Sequence, residues 1–575
     1  MSSHQFGEFW RRYDVLLAAL FLLILVLFVF LPLLSMFLVS LTSKPVYLLS
    51  AWNLSGIYEM WVAIFKAASL DNYYILLGDP YYLRALVNSL FVGVAVTVGS
   101  LLLGVPMAYG VSRTAMPFKN LVRVLTMVPL MVPDVMGAIA FIILLGPNGM
   151  VPQIARRLGL SAPFDLYSSL GLVLVEIFHA FPFVFFSASI TLENIGQSCI
   201  DASKTLRAKD WYRHLTVTLP LATPGIAAGL LTTFVIGFTS FGAAMILNPP
   251  RFPLLAVAAY SELIGFGVWG TSAMMTMVIA FFSLLALTVQ KFYVERRSYT
   301  TITGRMYKVQ LTEDKKTCYG LLIVCLLALF VPLAELGALV LMSFSKAWAG
   351  TVLPTQFTLE NYDNIFSQRL DSLLNTFILC GGAAILATIL GTGISYVLSR
   401  GRFTGRGVLD YLSMTPFGIP GVVFGIAYLQ TFNSPPIKLT MTPYIVIIAY
   451  AMRRLPYVVR STTASLQQLS KSLDEASLCS GATRMLTMMK VVAPLIWPGI
   501  LMGAVLTFIR SAVDVGSTIF LAPAGLRPLC LEVFMLGQEL RFETAAALSV
   551  VGIALIAVIQ LLLYRKVGKL AVVGG

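Results

Sequence analysis

The chain has 575 residues, of which 58% are hydrophobic and only 11% are charged, and its mean hydropathy is +0.86. A soluble protein of this length needs far more charge to cover its surface, so the composition excludes that class and indicates an integral membrane protein. The net charge of +14 would suggest a nucleic-acid partner in a soluble protein. Here the basic residues lie in short loops between apolar runs, so membrane topology explains them better.

Twelve apolar runs are long enough to cross a bilayer, which takes roughly 20 residues in a helix. The first run, residues 15–41, is too long for the core of a signal peptide and lacks a small-residue cleavage site, so we interpret it as a retained span. The others lie near residues 86–110, 121–145, 167–190, 222–247, 271–293, 319–344, 373–398, 408–432, 441–462, 495–521 and 543–565. The pattern predicts an all-α polytopic membrane protein.

Basic residues concentrate in alternate loops, and this bias orients the spans because cytoplasmic loops are enriched in Lys and Arg. A single orientation of the spans places all of these basic segments in the cytoplasm. They are Arg11 and Arg12, the loop with Arg113, Lys119 and Arg123, the linker 294–318, the loop with Arg400, Arg402 and Arg406, and the C-terminal Arg565, Lys566 and Lys569. Both termini are then cytoplasmic, whereas segments 43–84 and 146–166 face outward.

The two halves of the chain share landmarks at fixed separations. Asn88-Ser89 corresponds to Asn375-Thr376 at an offset of 287 (375 − 88), and Pro220 corresponds to Pro494 at an offset of 274 (494 − 220). A shorter outer loop after the ninth span accounts for the difference. The repeat predicts two pseudo-symmetric six-helix halves, residues 1–293 and 319–575, joined by a polar cytoplasmic linker at residues 294–318.

Two short polar segments, residues 201–220 and 475–494, carry the same pattern within this apolar chain. The first contains Asp201, Ala202, Ser203, Arg207, Leu219 and Pro220, and the second contains Glu475, Ala476, Ser477, Gly481, Ala493 and Pro494. In both, the acidic residue precedes the proline by 19 positions (220 − 201 and 494 − 475). The pattern predicts a short surface helix that leads into a membrane span, and both copies lie on the cytoplasmic side.

These segments resemble the EAA motif of the membrane subunits of binding-protein-dependent ABC importers, Glu-Ala-Ala-x3-Gly-x9-Ile-x-Leu-Pro. The second copy keeps Glu475, Ala476 and Gly481, whereas Arg207 replaces the glycine in the first copy. The resemblance covers essentially the whole chain. Residues 450–460, YAMRRLPYVVR, are also similar to fused permeases of the ferric-iron, thiamine and sugar-phosphate type.

The resemblance implies that the chain forms the translocation pathway of an importer in the bacterial inner membrane. Each polar segment would be a coupling helix that docks on one of two cytoplasmic ATPase subunits, and a periplasmic solute-binding protein would deliver the solute. The docking residues would be Asp201, Ala202, Ser203, Arg207, Glu475, Ala476, Ser477 and Gly481. An acidic residue suits the start of a helix, and Gly481 permits a turn at the end.

The chain contains no G-x-x-x-x-G-K-[ST] phosphate-binding loop, so ATP and Mg²⁺ would be bound by the partner subunits, and we expect no enzymatic activity and no cofactor in this chain. Its three histidines, His4, His179 and His214, lie far apart in sequence and indicate no metal cluster. Its six cysteines form no CxxC pair, so we interpret them mainly as small buried apolar residues.

Ionisable residues inside spans are costly and are therefore candidates for the solute pathway. Arg510 and Asp514 are four residues apart and are predicted to pair on one helical face, with Ser240 at the position equivalent to Asp514. Glu176 and His179 are expected to pair, and Arg453 to reach the cytoplasmic interface. Pro133 and Pro420 should break the third and ninth spans, which places Asp134 at a broken helix. The alternative for Arg510 and Asp514 is an ion pair that only locks two helices.

The cargo is assigned only by fold-level resemblance. Ferric iron comes first, phosphorylated solutes such as hexose phosphate or phosphonate second, and thiamine third. The alternative function is an ion-coupled secondary transporter, a class that also uses twelve spans but needs no ATPase and no matched docking helices.

Overall fold

The structure is a computed structural model. It describes residues 15–42, 44–46, 48, 54–160, 165–195, 205, 212, 214–247, 252–296, 311, 313–348, 350–401, 403–470 and 472–567. The regular elements in these ranges are helices, and one isolated β-bridge joins Ser345 to Phe357. The predicted all-α class is therefore confirmed.

In the described part of the chain, thirteen helices precede the linker. They are α1 Val15–Thr42, α2 Leu54–Ala67, α3 Asp71–Gly78, α4 Pro80–Arg113, α5 Lys119–Leu125, α6 Val128–Met131, α7 Asp134–Leu145, α8 Met150–Arg157, α9 Ser169–Asn194, α10 Leu219–Phe238, α11 Gly242–Leu247, α12 Leu255–Tyr260 and α13 Trp269–Arg296. Short π-helical stretches lie within α1 (Val26–Phe30), before α10 (His214–Thr218) and after α12 (Ser261–Gly265).

The same number of helices follows the linker. They are α14 Lys315–Ser343, α15 Glu360–Gln368, α16 Leu370–Arg400, α17 Arg406–Met414, α18 Gly421–Thr431, α19 Pro443–Gln467, α20 Ser472–Cys479, α21 Arg484–Thr487, α22 Ala493–Leu495, α23 Trp497–Ala512, α24 Val515–Leu521, α25 Leu529–Gln538 and α26 Phe542–Val567. A 3₁₀ turn, Thr415–Gly418, follows α17, and a π-helical stretch, Met488–Val492, precedes α22.

Within the described ranges, nine helices are long and apolar enough to cross a membrane, or up to eleven if each of two bent pairs counts as one span. The predicted tenth span, 441–462, falls on α19, which has 25 residues. Arg453, Arg454 and Arg460 make this helix polar, which explains why it is not among the apolar spans. The multi-pass prediction is confirmed, and all twelve predicted runs coincide with helical segments.

The linker prediction, residues 294–318, overlaps two helix ends. Helix α13 continues to Arg296 and α14 begins at Lys315, while residues 297–310 lie outside the described ranges. The Asp314 carboxylate caps α14 by accepting hydrogen bonds from the Thr317 N–H (2.9 Å) and hydroxyl (2.6 Å). These two bonds lower the pKa of Asp314 because they stabilise its charged form.

The two halves make equivalent hydrogen bonds at the two sequence offsets. The Ser89 hydroxyl accepts a bond from the Leu255 N–H at 2.8 Å, and the Thr376 hydroxyl accepts one from the Leu529 N–H at the same distance. Residues 89 and 376 differ by 287, and residues 255 and 529 by 274 (376 − 89 and 529 − 255). The repeated contact is the three-dimensional counterpart of the sequence repeat.

The same symmetry governs helix packing. A Cβ at Gly104 of α4 would lie 2.9 Å from the Cβ of Val184 in α9, and one at Gly391 of α16 would lie 2.7 Å from the Cβ of Val458 in α19. Only glycine allows these helix pairs to approach so closely, as is common between membrane helices. The pairs α4–α9 and α16–α19 therefore form equivalent frames in the two halves.

The first helix of each half packs against the other half. The Tyr428 hydroxyl of α18 donates to the Phe28 carbonyl of α1 at 2.5 Å. In turn, Cys325 and Leu329 of α14 share an apolar cluster with Phe185 of α9. Each half is thus covered in part by a helix from the other, which ties the two together.

Candidate functional site

Two proline-containing spans break at equivalent positions. Helix α6 ends at Met131 and α7 begins at Asp134, with Pro133 in extended conformation between them. In the other half the segments Arg406–Gly418 and Gly421–Thr431 meet at Pro420 with a bend of 111°. Proline lacks an N–H group and forces the residue before it out of the helical region. The predicted breaks in the third and ninth spans are confirmed.

Two further spans break without a proline at the break. Helix α10 ends at Phe238 and α11 begins at Gly242, while α23 ends at Ala512 and α24 begins at Val515. At the second break the Asp514 side chain caps α24 and accepts a hydrogen bond from the Ser517 N–H at 3.3 Å. The predicted fifth and eleventh spans are therefore each made of two helices.

All four breaks border one cavity between the two halves, with a volume of about 270 Å³. Its polar and charged lining includes Asp134, His179, Ser240, Arg453, Arg454, Arg510 and Asp514. Five of the six predicted pathway residues are in this lining. The sixth, Glu176, lies buried behind Ser240, whose hydroxyl donates to the Glu176 carboxylate at 2.5 Å. Broken helices whose backbone faces a cavity are typical of transport pathways in membranes.

Asp514 is the centre of an ion network in this cavity. Its carboxylate pairs with Arg453 and, at 3.1 Å, with Arg454, and it accepts a bond from the Ser517 hydroxyl at 2.9 Å. The carboxylate side chain is only 4% exposed. Two arginines and a hydroxyl offset the cost of burying this charge, which would be prohibitive without partners.

The prediction that Arg510 pairs with Asp514 is wrong. The four-residue spacing brings side chains together only on a continuous helix, and α23 ends at Ala512. The Arg510 guanidinium instead lies 5.3 Å from the centre of the Phe183 ring, a cation–π contact. The prediction that Arg453 reaches the cytoplasmic interface is also wrong, because its side chain is 15% exposed and pairs with Asp514.

His179 has a different partner from the one predicted. Its Nε2 atom lies 3.7 Å from the Glu335 Oε1 atom, and both side chains are buried. Glu335 belongs to α14, the helix that the second half contributes to the first. A Cβ at Gly137 would lie 2.1 Å from His179 Cε1 and 2.7 Å from Glu335 Oε1, so this glycine makes room for the pair. The predicted Glu176–His179 pair is replaced by Ser240–Glu176 and His179–Glu335 contacts.

The sequence interpretation missed Arg454 and Glu335 as cavity-region residues. Two adjacent arginines within an apolar run were a usable signal, since charges inside a span usually have partners there. Glu335 is also an isolated charge within the apolar run 319–344. In the described part of the chain, no group of three or more His, Cys, Asp or Glu residues is arranged to hold a metal ion.

The second predicted coupling segment begins with helix α20 at one end of the bundle. Glu475 and Ala476 are exposed, and the Ser477 hydroxyl lies 2.9 Å from that of Thr487. The Asp474 carboxylate pairs with the Arg400 guanidinium at 2.8 Å, and both side chains are about nine-tenths buried (10% and 9% exposed). The segment is therefore an exposed helix that a nearly buried ion pair attaches to the bundle.

Gly481 ends this helix in a backbone conformation that favours glycine. Its φ angle is +85°, in the left-handed region that favours glycine. Its N–H donates to the Leu478 carbonyl at 3.0 Å, and the Ala482 N–H donates to the Ser477 carbonyl at 3.2 Å. This is the hydrogen-bond pattern of a Schellman cap. In the first segment, Asp201, Ala202, Ser203 and Arg207 lie outside the described residues.

Comparison with known proteins gives two matches to one family within the chain. The family described as binding-protein-dependent transport system inner membrane component matches residues 100–299 and 388–569. The chain belongs to this family. It is therefore a permease-type component of an inner membrane transport system, as the sequence resemblance implied, and the family is a family of transport permeases rather than enzymes.

Two relatives match this chain along most of its length. The chain is 29% identical over 498 residues to the ferric transport system permease protein of Actinobacillus pleuropneumoniae, which covers 85% of this chain and 72% of the relative. It is 22% identical over 476 residues to an Fe(3+)-transport system permease protein of Haemophilus influenzae, covering 82% and 87%.

A shorter relative shows what one half corresponds to. The sulfate transport system permease protein of Salmonella typhimurium is 30% identical over 248 residues, which is 41% of this chain but 85% of the relative. Less than half of this chain thus corresponds to most of a separate permease. The two family matches contain both polar segments and every charged residue of the cavity lining named above.

Proposed function

We propose that this chain forms the complete translocation pathway of an ATP-driven importer. A periplasmic solute-binding protein delivers the solute to one face, and two copies of a cytoplasmic ATPase bind the other. Both termini and both coupling segments, 201–220 and 475–494, face the cytoplasm. The observation that carries the proposal is the connection between the exposed helix α20 and the cavity through α16 and α19.

Arg400 links helix α20 to the end of helix α19. It pairs with Asp474 of α20 and also donates to the Leu469 carbonyl at 3.0 Å, just beyond the end of α19. Helix α19 carries Arg453 into the cavity roughly 20 Å away, at 1.5 Å per residue. A force that displaces α20 is therefore transmitted along α19 to the Arg453–Asp514 pair. Closure of the ATPases would switch the cavity between inward and outward access in this way.

The exposed residues of α20 suit a docking role. Glu475 lies in the first turn, where a carboxylate complements the positive end of the helix dipole. Ala476 and Ser477 are small and permit close approach of a partner. Asp201, Ala202 and Ser203 would form the equivalent surface of the first copy. Arg207 replaces the glycine there, so we expect a different turn and a weaker hold on the ATPase.

Ferric iron is the first candidate for the cargo, because two full-length relatives carry ferric transport in their names. Phosphorylated solutes such as hexose phosphate or phosphonate come second, and thiamine third. The chain would transport the solute without changing it chemically. ATP and Mg²⁺ would be bound by the ATPase subunits.

Reconstitution tests the proposal. Proteoliposomes are prepared with the permease alone and with its co-expressed ATPase, and uptake of ⁵⁵Fe(III) delivered by the binding protein is measured with and without ATP. We expect uptake only with ATPase, binding protein and ATP together. Uptake by the permease alone would favour the ion-coupled secondary transporter instead.

A charge reversal tests the docking role. Glu475→Lys should prevent co-purification of the ATPase and abolish ATP-dependent uptake, while the protein still inserts into the membrane. The matched control is Glu360→Lys, which changes another exposed acidic residue in the first turn of a short helix, α15. Normal ATPase binding by the Glu475→Lys variant would refute the role of α20.

A further inference from the structure

The two halves bring different charges to equivalent positions around the cavity. Arg453, Arg454 and Arg510 of the second half stand where the first half has His179, Ala180 and Ile236, at an offset of 274 (453 − 179). All three arginines line the cavity. The arginines of the described lining therefore come from the second half alone, although the fold around them is symmetric.

The three arginines are not equivalent to one another. Arg453 and Arg454 both point to the Asp514 carboxylate, which they neutralise. Within the described part of the chain, Arg510 is paired with no carboxylate, and its guanidinium lies on the Phe183 ring at 5.3 Å. Its backbone carbonyl, by contrast, is occupied, because it accepts a hydrogen bond from Arg454 at 2.9 Å.

Stacking on a ring leaves the donors of a guanidinium available. The group has five N–H donors in one plane, and contact with an aromatic face uses none of them. Arg510 is half-buried and lines the cavity. A half-buried cation that lines a cavity inside a membrane protein is complementary to an oxyanion, which accepts two such bonds at once.

A carboxylate from the first half also lines the cavity. Asp134 begins α7 at the break in the third span, lines the cavity and is exposed to it. Among the described residues of the lining, the carboxylates are Asp134 and Asp514, and only Asp514 is paired with arginines. The described residues also contain no group of three or more metal-binding side chains. A trivalent cation would therefore need to cross with oxygen ligands of its own.

We propose that Arg510 binds an anionic oxygen group of the solute, a carboxylate, phosphate or sulfate, as the solute passes through the cavity. This inference rests on the proposed transport function. The anionic group belongs either to a free oxyanion or to an oxyanion that accompanies a ferric ion. In the second case the metal faces Asp134 and the anion faces Arg510.

Binding to the purified permease tests the inference without the ATPase. The full-length protein in lipid nanodiscs is titrated with radiolabelled sulfate, phosphate, citrate and ferric citrate. We expect saturable binding of at least one probe, a loss of affinity of about tenfold or more in Arg510→Gln, since a charge-assisted bond is lost, and partial recovery in Arg510→Lys. The matched control is Arg460→Gln, because Arg460 lies 5.7 Å from the Phe417 ring but outside the cavity lining.

Asp134→Asn distinguishes the two sources of the anion. For a free oxyanion, removal of this carboxylate should leave affinity unchanged or raise it. For a ferric complex, it should lower the affinity for ferric citrate without lowering that for citrate.

Two results would overturn the inference: no probe binds the wild-type protein, or Arg510→Gln binds every probe as well as the wild type does. ATP-dependent uptake by the wild-type complex is measured in parallel. If uptake persists while Arg510 proves irrelevant to binding, only this inference fails, and the transport proposal stands.

Discussion

Asp474 and Arg400 form an ion pair of 2.8 Å between helix α20 and the end of helix α16. Both side chains are nearly buried, although α20 itself lies on the surface. Arg400 also holds the Leu466 and Leu469 carbonyls, so that three segments meet at one guanidinium. This contact therefore ties α20 to the bundle.

Loss of this ion pair should loosen α20. Arg400→Gln removes the cation beside a nearly buried carboxylate, and we expect a local destabilisation of about 3 kcal/mol. Amide hydrogen exchange in residues 472–479 should accelerate, and uptake per ATP hydrolysed should fall severalfold. Asp474→Asn in the Arg400→Gln background should recover part of the lost protection. Unchanged exchange in the single variant would contradict the role of the pair.

The turn at Gly481 should depend on backbone conformation alone. A Cβ there would meet no heavy atom within 4 Å, but φ is +85°. Gly481→Ala should therefore cost about 1 kcal/mol through left-handed strain, seen as faster hydrogen exchange at the end of α20. Gly525→Ala is the control, since that position is equally open and lacks a positive φ. Equal effects of the two substitutions would rule out the strain explanation.

The Asp514 network predicts unequal effects of its members. Asp514→Asn leaves two arginines without their carboxylate and should lower the free energy of unfolding by about 3 kcal/mol or more. Arg454→Gln should cost less, because the Arg453–Asp514 pair remains. Thermal unfolding of the purified variants in detergent measures both. The ranking fails if Arg454→Gln proves the more damaging of the two.

Gly137 should tolerate no larger residue. Gly137→Ala would place a Cβ 2.1 Å from His179 Cε1, and the resulting displacement of His179 and Glu335 should cost about 1–3 kcal/mol. Gly337→Ala, in the same helix as Glu335, meets no heavy atom within 4 Å and should have little effect. Thermal unfolding again compares the two variants. A stable Gly137→Ala protein would show that the histidine and glutamate can move apart without loss.

The sequence predicted the breaks that proline causes, but not the others. Pro133 and Pro420 act locally, so their effect can be anticipated from two neighbouring residues. The break at Asp514 depends on a side-chain cap and on two arginines from another helix. Arg510 and Asp514 are charges within the predicted span, but the cap and the contacts with arginines of another helix cannot be deduced from their spacing. The pairing predicted for Arg510 failed because it assumed a continuous helix.

Contacts between the two halves could not be predicted from the sequence either. His179 and Glu335 are 156 positions apart (335 − 179), and they meet only because α14 packs against the first half. The repeat offsets, by contrast, relate equivalent contacts that the structure shows, such as Ser89–Leu255 and Thr376–Leu529, since each lies within one half. Pseudo-symmetry could be read from the sequence, whereas the exchange of first helices could not.

That exchange of first helices has a consequence for assembly. If the two halves were separate polypeptides, each could associate either with a second copy of itself or with the other half, since each offers a similar surface to α1 or α14. A pairing of two second halves would gather six arginines around the central space, and a pairing of two first halves would supply none of the three that line it here. Because the two halves are parts of one polypeptide, every molecule has one first half and one second half, and the cavity is lined once by each.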